Sequence, residues 1–320
     1  MDLVAGIDIG GTKTKLGLVN DSGECVVEMN FRTKEYPDLE DYLDKTIRSV
    51  HELIQKMPLK VNLLGVGIGA PNASNKRGTI EYAPNLYWKG IVPLKDKLIE
   101  RLDIPMKVTN DANAAALGEM LFGNAKGMKD FVVITLGTGL GSGVVSNGSM
   151  VYGYDGFAGE FGHFAMLPQD GRVDGLGVQG GLEAYVSATG LKRTILYMIS
   201  KYPDESRFRS VAFNDLHGEE ITKAAEEGDP IAIKAFEYTG EILGKALANF
   251  TVFSQPEAFF LVGGLANCGK WIFEPTQRHM ENHLLKMYKG KVRILSSGIG
   301  EKNVAVSGAA ALIWMDQHSS

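Results

Sequence analysis

VAGIDIGGTKTKLGLVNDSG, residues 4–23, carries an apolar strand into a Gly-Gly turn and a second strand back out of it. The nearly unbroken apolar run up to Ile9 predicts a mostly buried strand. KLGLVN and ECVVEMNFRT predict two more, with the turn DSG between them. The pattern returns as FVVITLGTGLGSGVVSNG, residues 131–148, where Ile7 aligns with Ile134, Gly10 with Gly137 and Asn20 with Asn147. A solenoid would repeat every ~20–50 residues. One recurrence so far apart predicts two related halves facing one another, the alternative being two hairpins alike by chance.

Beyond the first hairpin the period changes at Asp38. Leu39, Tyr42, Leu43, Ile47, Val50 and Ile54 recur every three or four residues, the spacing of an amphipathic helix. LLGVGIGAP reads as a buried strand, and MKVTN as a short one that delivers Asp111 to the helix ANAAALGEMLFG. In the second half DPIAIKAFEYTGEILGKALANFTVF is a long amphipathic helix, AFFLVGGL a strand ending at Gly263 and Gly264, and VRILSS another strand. VAVSGAAALIWM is a closing helix of small residues, and residues 201–220 form a polar, looser segment. Strands alternating with helices make this an α/β protein. The expected division is a smaller domain of residues 1–111 plus about 305–320 and a larger one of 112–304, sharing a continuous interface because no linker separates them.

A chain of 320 residues accommodates two domains of roughly 150 each. The net charge of −5 argues against a nucleic-acid binder, which needs a basic face. The 39 glycines fall in short clusters between apolar runs, which suits turns that approach a ligand rather than disorder. Cys25 and Cys268 are too few for a disulfide framework and suit a reducing compartment. MDLVAGIDIGG lacks the regions of a signal peptide, and no stretch approaches the ~20 apolar residues that span a bilayer. These features predict a cytoplasmic protein without membrane contact.

The candidate site residues gather at the turns. Gly10 and Gly11 expose backbone amides, and Thr12 and Lys13 add a hydroxyl and a positive charge, a concavity suited to phosphate. The sequence is neither a Walker loop nor a GxGxxG fingerprint. Gly137, Thr138 and Gly139 repeat the offer, so each half could hold the outer phosphates of one nucleotide. Asp8, an acid inside an apolar strand, needs a partner. That partner is either nucleotide-bound Mg²⁺, reached through water, or the turn amides. Asp111 fits an N-cap and also fits a base for an attacking sugar hydroxyl, since a helix N-terminus keeps a carboxylate ionised. Glu160 and His163 in GFAGEFGHF, Glu183 in GGLEAYVS and Asn110 suit a ring of sugar hydroxyls, or are polar residues satisfied within the protein.

Taken together, DIGGTKTKLGLV, GIGAP, APNLYW, NDANAAALGE, TLGTGLGSGVV, GEFGH, GGLEAYVS and LVGGLA resemble the ROK family of sugar kinases and repressors, in that family's order over nearly the whole chain. The resemblance implies the actin-like ATPase (ribonuclease H-like) fold, with two related domains around a cleft. It implies ATP and Mg²⁺, phosphorylation of a sugar hydroxyl, commonly at C6, and a homodimer. Asp111 matches the catalytic base. Asn110, Glu160, His163 and Glu183 match the sugar ligands, and Asn85 in APNLYW lies near them. ATP phosphates would lie between the two hairpins, with the adenosine near Gly263 and Gly264. Glucose is the first choice of sugar. N-acetylmannosamine, N-acetylglucosamine, fructose or another sugar is the alternative, and Asn72 stands where relatives often have glycine. A repressor would carry an N-terminal DNA-binding domain, for which a first strand beginning near residue 3 leaves no room. A sugar sensor without catalysis is the reading from a different class.

One departure stands out. Many members carry a zinc motif, CxCGxxGCxE, before the last sugar-contacting Glu. Residues 174–183 here read DGLGVQGGLE, with Asp174, Leu176 and Gly181 in the cysteine positions. His163 matches the remaining ligand but has no thiolate partners, and structural zinc needs about four ligands. The expectation is no structural zinc, with packing of Leu176 and the glycine turns in its place.

Overall fold

The computed structural model describes residues 1–167, 169, 171–299 and 304–319. Residue 320, at the end of the smaller predicted domain, and residues 300–303 of the larger one lie outside the described residues. The first part of the chain forms β1 (Asp2–Ile9), β2 (Lys13–Val19), β3 (Cys25–Arg32), α1 (Leu39–Gln55), β4 (Asn62–Gly69), β5 (Ala73–Ser74), β6 (Thr79–Glu81), β7 (Ile91–Val92), α2 (Leu94–Ile99), β8 (Met106–Thr109) and α3 (Asp111–Phe122). There follow β9 (Phe131–Leu136), β10 (Leu140–Ser146), β11 (Ser149–Met150), α4 (Ala188–Lys201), α5 (Gly218–Glu226), α6 (Pro230–Ser254), β12 (Ala258–Val262), α7 (Lys270–His283), β13 (Arg293–Ser296) and α8 (Val304–Ser319).

The two large sheets have strand orders β3-β2-β1-β4-β8 and β11-β10-β9-β12-β13. The two orders correspond strand for strand, so the likeness between the two hairpins extends to the sheets that hold them. In the first sheet β1 is antiparallel to β2 and parallel to β4, which is parallel to β8. In the second, β12 runs parallel to both β9 and β13. The register sets Asp8 beside Gly69 and Gly69 beside Thr109, so the carboxyl ends of β1, β4 and β8 open at one end of the sheet. Ligands in open α/β sheets bind outside such ends. The second sheet repeats this, with Thr135 of β9 beside Val262 of β12.

The chain divides into two compact units. One is residues 1–128, 143–159 and 297–320, and the other is residues 129–142 and 160–296. The predicted boundary after Asp111 therefore falls too early, because α3 stays with the first unit. The reason is α8. Its small residues let it lie directly on α3 and on the first sheet: a Cβ on Gly118 would come within 2.9 Å of Gly308 Cα, and one on Gly6 or Gly67 would strike the Val306 or Ala309 carbonyl. Trp314 Nε1 donates to Val19 O at 3.2 Å and pins the helix across the sheet. Glu119, fully buried on α3, accepts from the amides of Gly298 (3.2 Å) and Asn124 (3.1 Å) and from the Ser297 hydroxyl. In the second unit α6 is buried over most of its faces rather than along one stripe, and Gly240 and Gly244 let α7 pack against it through Pro275 and Thr276. No helix among the described residues is long and apolar enough to cross a membrane.

Candidate active site

In the first unit the glycine turn closes through Gly10 N donating to Lys13 O at 3.0 Å. It is braced from behind by a buried hydroxyl chain. Thr33 Oγ1 donates to Gly10 O (2.7 Å), Thr14 Oγ1 meets Thr33 Oγ1 (2.9 Å), and Tyr42 OH meets Thr14 Oγ1 (2.9 Å). Thr12 and Lys13 are exposed at the mouth of the turn. Gly11 has no room for a side chain, since a Cβ would come within 2.8 Å of Asn85 Cβ and Asn85 O. Asn85 is thus placed against the phosphate-type turn, with its side chain exposed. Asn72 adopts φ +50°, the left-handed region that favours glycine and admits Asn.

Asp8 is the penultimate residue of β1, just before this turn. No turn amide bonds its carboxyl, and among the described residues it has no hydrogen-bond partner. Burial, and then the neighbouring Asp111 charge, raise its pKa from 3.8 to about 6 against the opposing pull of Lys15. A half-buried acid left unsatisfied in this way fits a residue that helps hold a cation.

Asp111 settles the capping question. It is the first helical residue of α3, not the cap. Asn110 is the cap, with Oδ1 accepting from Asn113 N at 2.6 Å. That leaves Asn110 Nδ2 without a partner among the described residues. The Asp111 carboxylate accepts from Ala112 N at 2.9 Å, and no side chain among the described residues bonds it. It is an exposed residue, yet protein crowds around the carboxyl. Lost hydration raises its pKa, and the amides of Ala112 and of Asp111 itself pull it back. A wetted but poorly hydrated carboxylate is a stronger proton acceptor than a free one.

In the second unit Gly137 N donates to Gly139 O at 3.0 Å, closing the second turn, and Ala188 N, at the start of α4, donates to Gly137 O at 2.9 Å. Thr138 is exposed at the tip of this turn, and a Cβ on Gly137 would meet open space. Gly139 has none to spare, because a Cβ there would land on Glu183 Oε2. Glu183 Oε2 accepts from Leu140 N at 2.9 Å, and Oε1 has no protein donor among the described residues. The short turn Phe161–His163 packs on β10, where Gly162 lies against Leu140 O. Phe161 stacks on Phe250 of α6 at 3.8 Å, and Phe161 N donates to Ser142 Oγ at 3.2 Å. This brings Glu160, which is exposed, together with His163, Glu183 and the second turn. Gly263 and Gly264 join them: Gly263 (φ +102°) lies within 2.7 Å, measured from an added Cβ, of Leu136 O, the residue before the turn.

His163 Nδ1 lies 2.8 Å from Asp174 Oδ2. Asp174 Oδ1 accepts from Leu176 N and Val178 N, both at 2.9 Å, and its side chain is fully buried. Burial alone would raise this carboxyl; the His163 ring and the Val178 and Leu176 amides outweigh it and hold it below the ordinary range. The segment is tied down further by Arg172, whose guanidinium bonds Thr194 Oγ1 (2.9 Å) and Gly190 O (3.2 Å) and covers the Tyr185 ring. The donors do not fit zinc. Cys268 lies in the turn after β12, and among the described residues no three His, Cys, Asp or Glu are disposed to hold a metal ion. The expectation about Leu176 is corrected: it is 49% exposed and packs against little. Its backbone amide, not its side chain, closes the loop. In the hydroxyl chain that braces the first turn, Thr14 and Thr33 have no sequence signal and Tyr42 was visible only as a helix-face residue, whereas Asp174 was visible as a carboxylate in a cysteine position.

The ROK family model matches residues 4–316. This chain belongs to the ROK family. Its architecture is accordingly the actin-like ATPase fold, with both sheets in the shared strand order. The glucokinase of Halalkalibacterium halodurans is 32% identical over 98% of this chain and 96% of its own. The crystal structure of a ROK family glucokinase from Streptomyces griseus in complex with glucose and AMPPNP is 33% identical. It covers 97% of this chain and 98% of its own, with a TM-score of 0.82. The family likeness also extends to a xylose repressor of Caldicellulosiruptor bescii, 30% identical over 99% of this chain and 79% of the repressor.

Proposed function

We propose that this ROK protein is an ATP-dependent hexose kinase, with glucose the first choice of acceptor and Asp111 the general base. The observation that carries the reading is the state of Asp111. Asn110 takes over the capping, the carboxylate keeps only local backbone amides among the described residues, and its proton affinity is raised. The glucokinase likenesses support it.

In the reaction a sugar hydroxyl attacks the terminal phosphorus of ATP. The new O–P bond forms as the bond to the ADP oxygen breaks, and Asp111 takes the hydroxyl proton. Most of the acceleration comes from positioning and charge. The amides of Gly10 and Gly137 close their turns; the Gly11 amide with Thr12 and Lys13 in one turn, and the Thr138 and Gly139 amides in the other, are the groups left to hold phosphate. Gly263 and Gly264 leave room for the adenosine. Glu160, His163 and Glu183 accept from sugar hydroxyls, and Asn110 Nδ2 donates to one. Asp8 is the side chain that would hold nucleotide-bound Mg²⁺, directly or through water, and the ion would there neutralise phosphate charge. The same reading makes the enzyme cytoplasmic and homodimeric.

ADP release measured across glucose, mannose, fructose, N-acetylmannosamine and N-acetylglucosamine tests the proposal. The highest kcat/KM is expected with glucose. A site built to bond a hydroxyl rejects the analogue lacking it by ~10⁴-fold, so preference for an N-acetylhexosamine would reassign the substrate and keep the kinase. Sugar binding without ADP release from any of them would favour the sensor reading, which the likeness to a xylose repressor supports.

A further inference from the structure

We infer that Asp174 is a positioning residue that locks the His163 ring with its proton on Nδ1, so that Nε2 is held as an acceptor for a substrate hydroxyl, with no metal involved. Asp174 Oδ1 already takes two backbone amides, of Leu176 and Val178. Oδ2 faces His163 Nδ1 at 2.8 Å. An ionised carboxylate only accepts, so the proton of that bond belongs to the ring. In neutral imidazole the other nitrogen then carries a lone pair. Nε2 has no protein partner among the described residues, and the ring is 23% exposed.

The neighbouring backbone leaves Asp174 no alternative position. A Cβ on Gly181 would come within 2.7 Å of Asp174 Oδ2, so this glycine makes the space the carboxylate occupies. Gly181, in turn, opens the turn that presents Glu183, since its carbonyl accepts from Ala184 N at 3.1 Å. One carboxylate thereby fixes a ring tautomer, closes the loop 174–178 and abuts the segment leading to Glu183. Carboxylates that orient a histidine in this way set the basicity and direction of its free nitrogen. The consequence is a site rich in acceptors, with Nε2 of His163 and Oε1 of Glu183 both requiring hydroxyl donors.

The sugar-binding half of this inference rests on the kinase reading; the ring tautomer does not. The test uses the whole protein labelled with ¹⁵N-histidine. In the wild type, NMR should show His163 protonated at Nδ1 and bare at Nε2; the opposite assignment would overturn the inference outright. Asp174→Asn keeps an oxygen for the two amides and offers an N–H to the ring, so it should invert the tautomer and turn Nε2 into a donor. The glucose KM should rise about tenfold or more while the KM for ATP stays within about twofold and the thermal midpoint holds. Unchanged glucose binding in a folded Asp174→Asn protein with an inverted ring would leave Asp174 a loop closure only and defeat the positioning role. If that variant does not fold, the wild-type ring measurement decides the matter alone. A wild type that phosphorylates no hexose would defeat the kinase reading, and the ring assignment would still be read from the same spectrum.

Discussion

Replacing Asp8 with Asn should make the protein more stable and less active. The carboxyl ionises near 3.8 in the unfolded chain and at about 6 in the folded one, because burial and the Asp111 charge disfavour its ionised form. At ~1.4 kcal/mol per pH unit the difference amounts to ~3 kcal/mol. The sign follows from proton uptake. Above pH 6 the folded protein carries a charge it disfavours, and the full penalty applies. Below 3.8 both states are protonated and the penalty is gone. Asp8→Asn should therefore stabilise by ~3 kcal/mol at pH 7.5, a rise of about 5–10 °C in Tm, and the gain should shrink toward zero near pH 4. Urea unfolding of both proteins at the two pH values measures it. Part of the gain comes from Asp111, so Asp8→Asn and Asp111→Asn together should stabilise by less than their sum. Catalytic loss should accompany the gain, since the same carboxylate is proposed to hold nucleotide-bound metal. A variant no more stable than wild type at pH 7.5, or equally stabilised at both pH values, would show that Asp8 carries no such penalty.

Further tests follow from other contacts. Gly139→Ala puts a methyl onto Glu183 Oε2; the glucose KM should rise about tenfold with little change in Tm, as steady-state kinetics and a melt will show. Glu119→Ala strands the amides of Gly298 and Asn124 that tie the 297–298 segment to α3, and at ~1–3 kcal/mol for each buried donor left unpaired it should cost at least ~2 kcal/mol in denaturant unfolding. Treatment with a strong zinc chelator should leave Tm and activity unchanged, because Asp174 rather than thiolates closes the loop; elemental analysis finding one tightly held zinc per chain would contradict this.

Much of this fold could be read directly. The two glycine hairpins predicted two related halves, because a buried strand running into a Gly turn constrains sequence at every position. The closing helix announced its packing through Gly308 and its alanines. Other features depend on contacts the chain order hides. Thr14, Thr33 and Tyr42 meet only because β2, the turn after β3 and α1 converge behind Gly10. Which of Asn110 and Asp111 caps α3 depends on where the backbone enters helical geometry, and adjacent Asn and Asp both suit the position. Leu176 looked like a packing replacement for a thiolate because it is apolar, but a two-residue step along a tight loop turned it outward and delivered its amide instead. Helix α7 has Pro275 in its interior, which obscures its pattern, and the sequence reading offered no element there.

The most direct measurement of the central claim is glucose-dependent ADP release by the wild type and by Asp111→Ala, with ATP affinity determined on both. With Asp111 as the base, the wild type turns over, the variant loses at least ~100-fold in kcat, and ATP binding is unchanged. Near-normal turnover by Asp111→Ala would remove Asp111 from the chemistry and contradict the account.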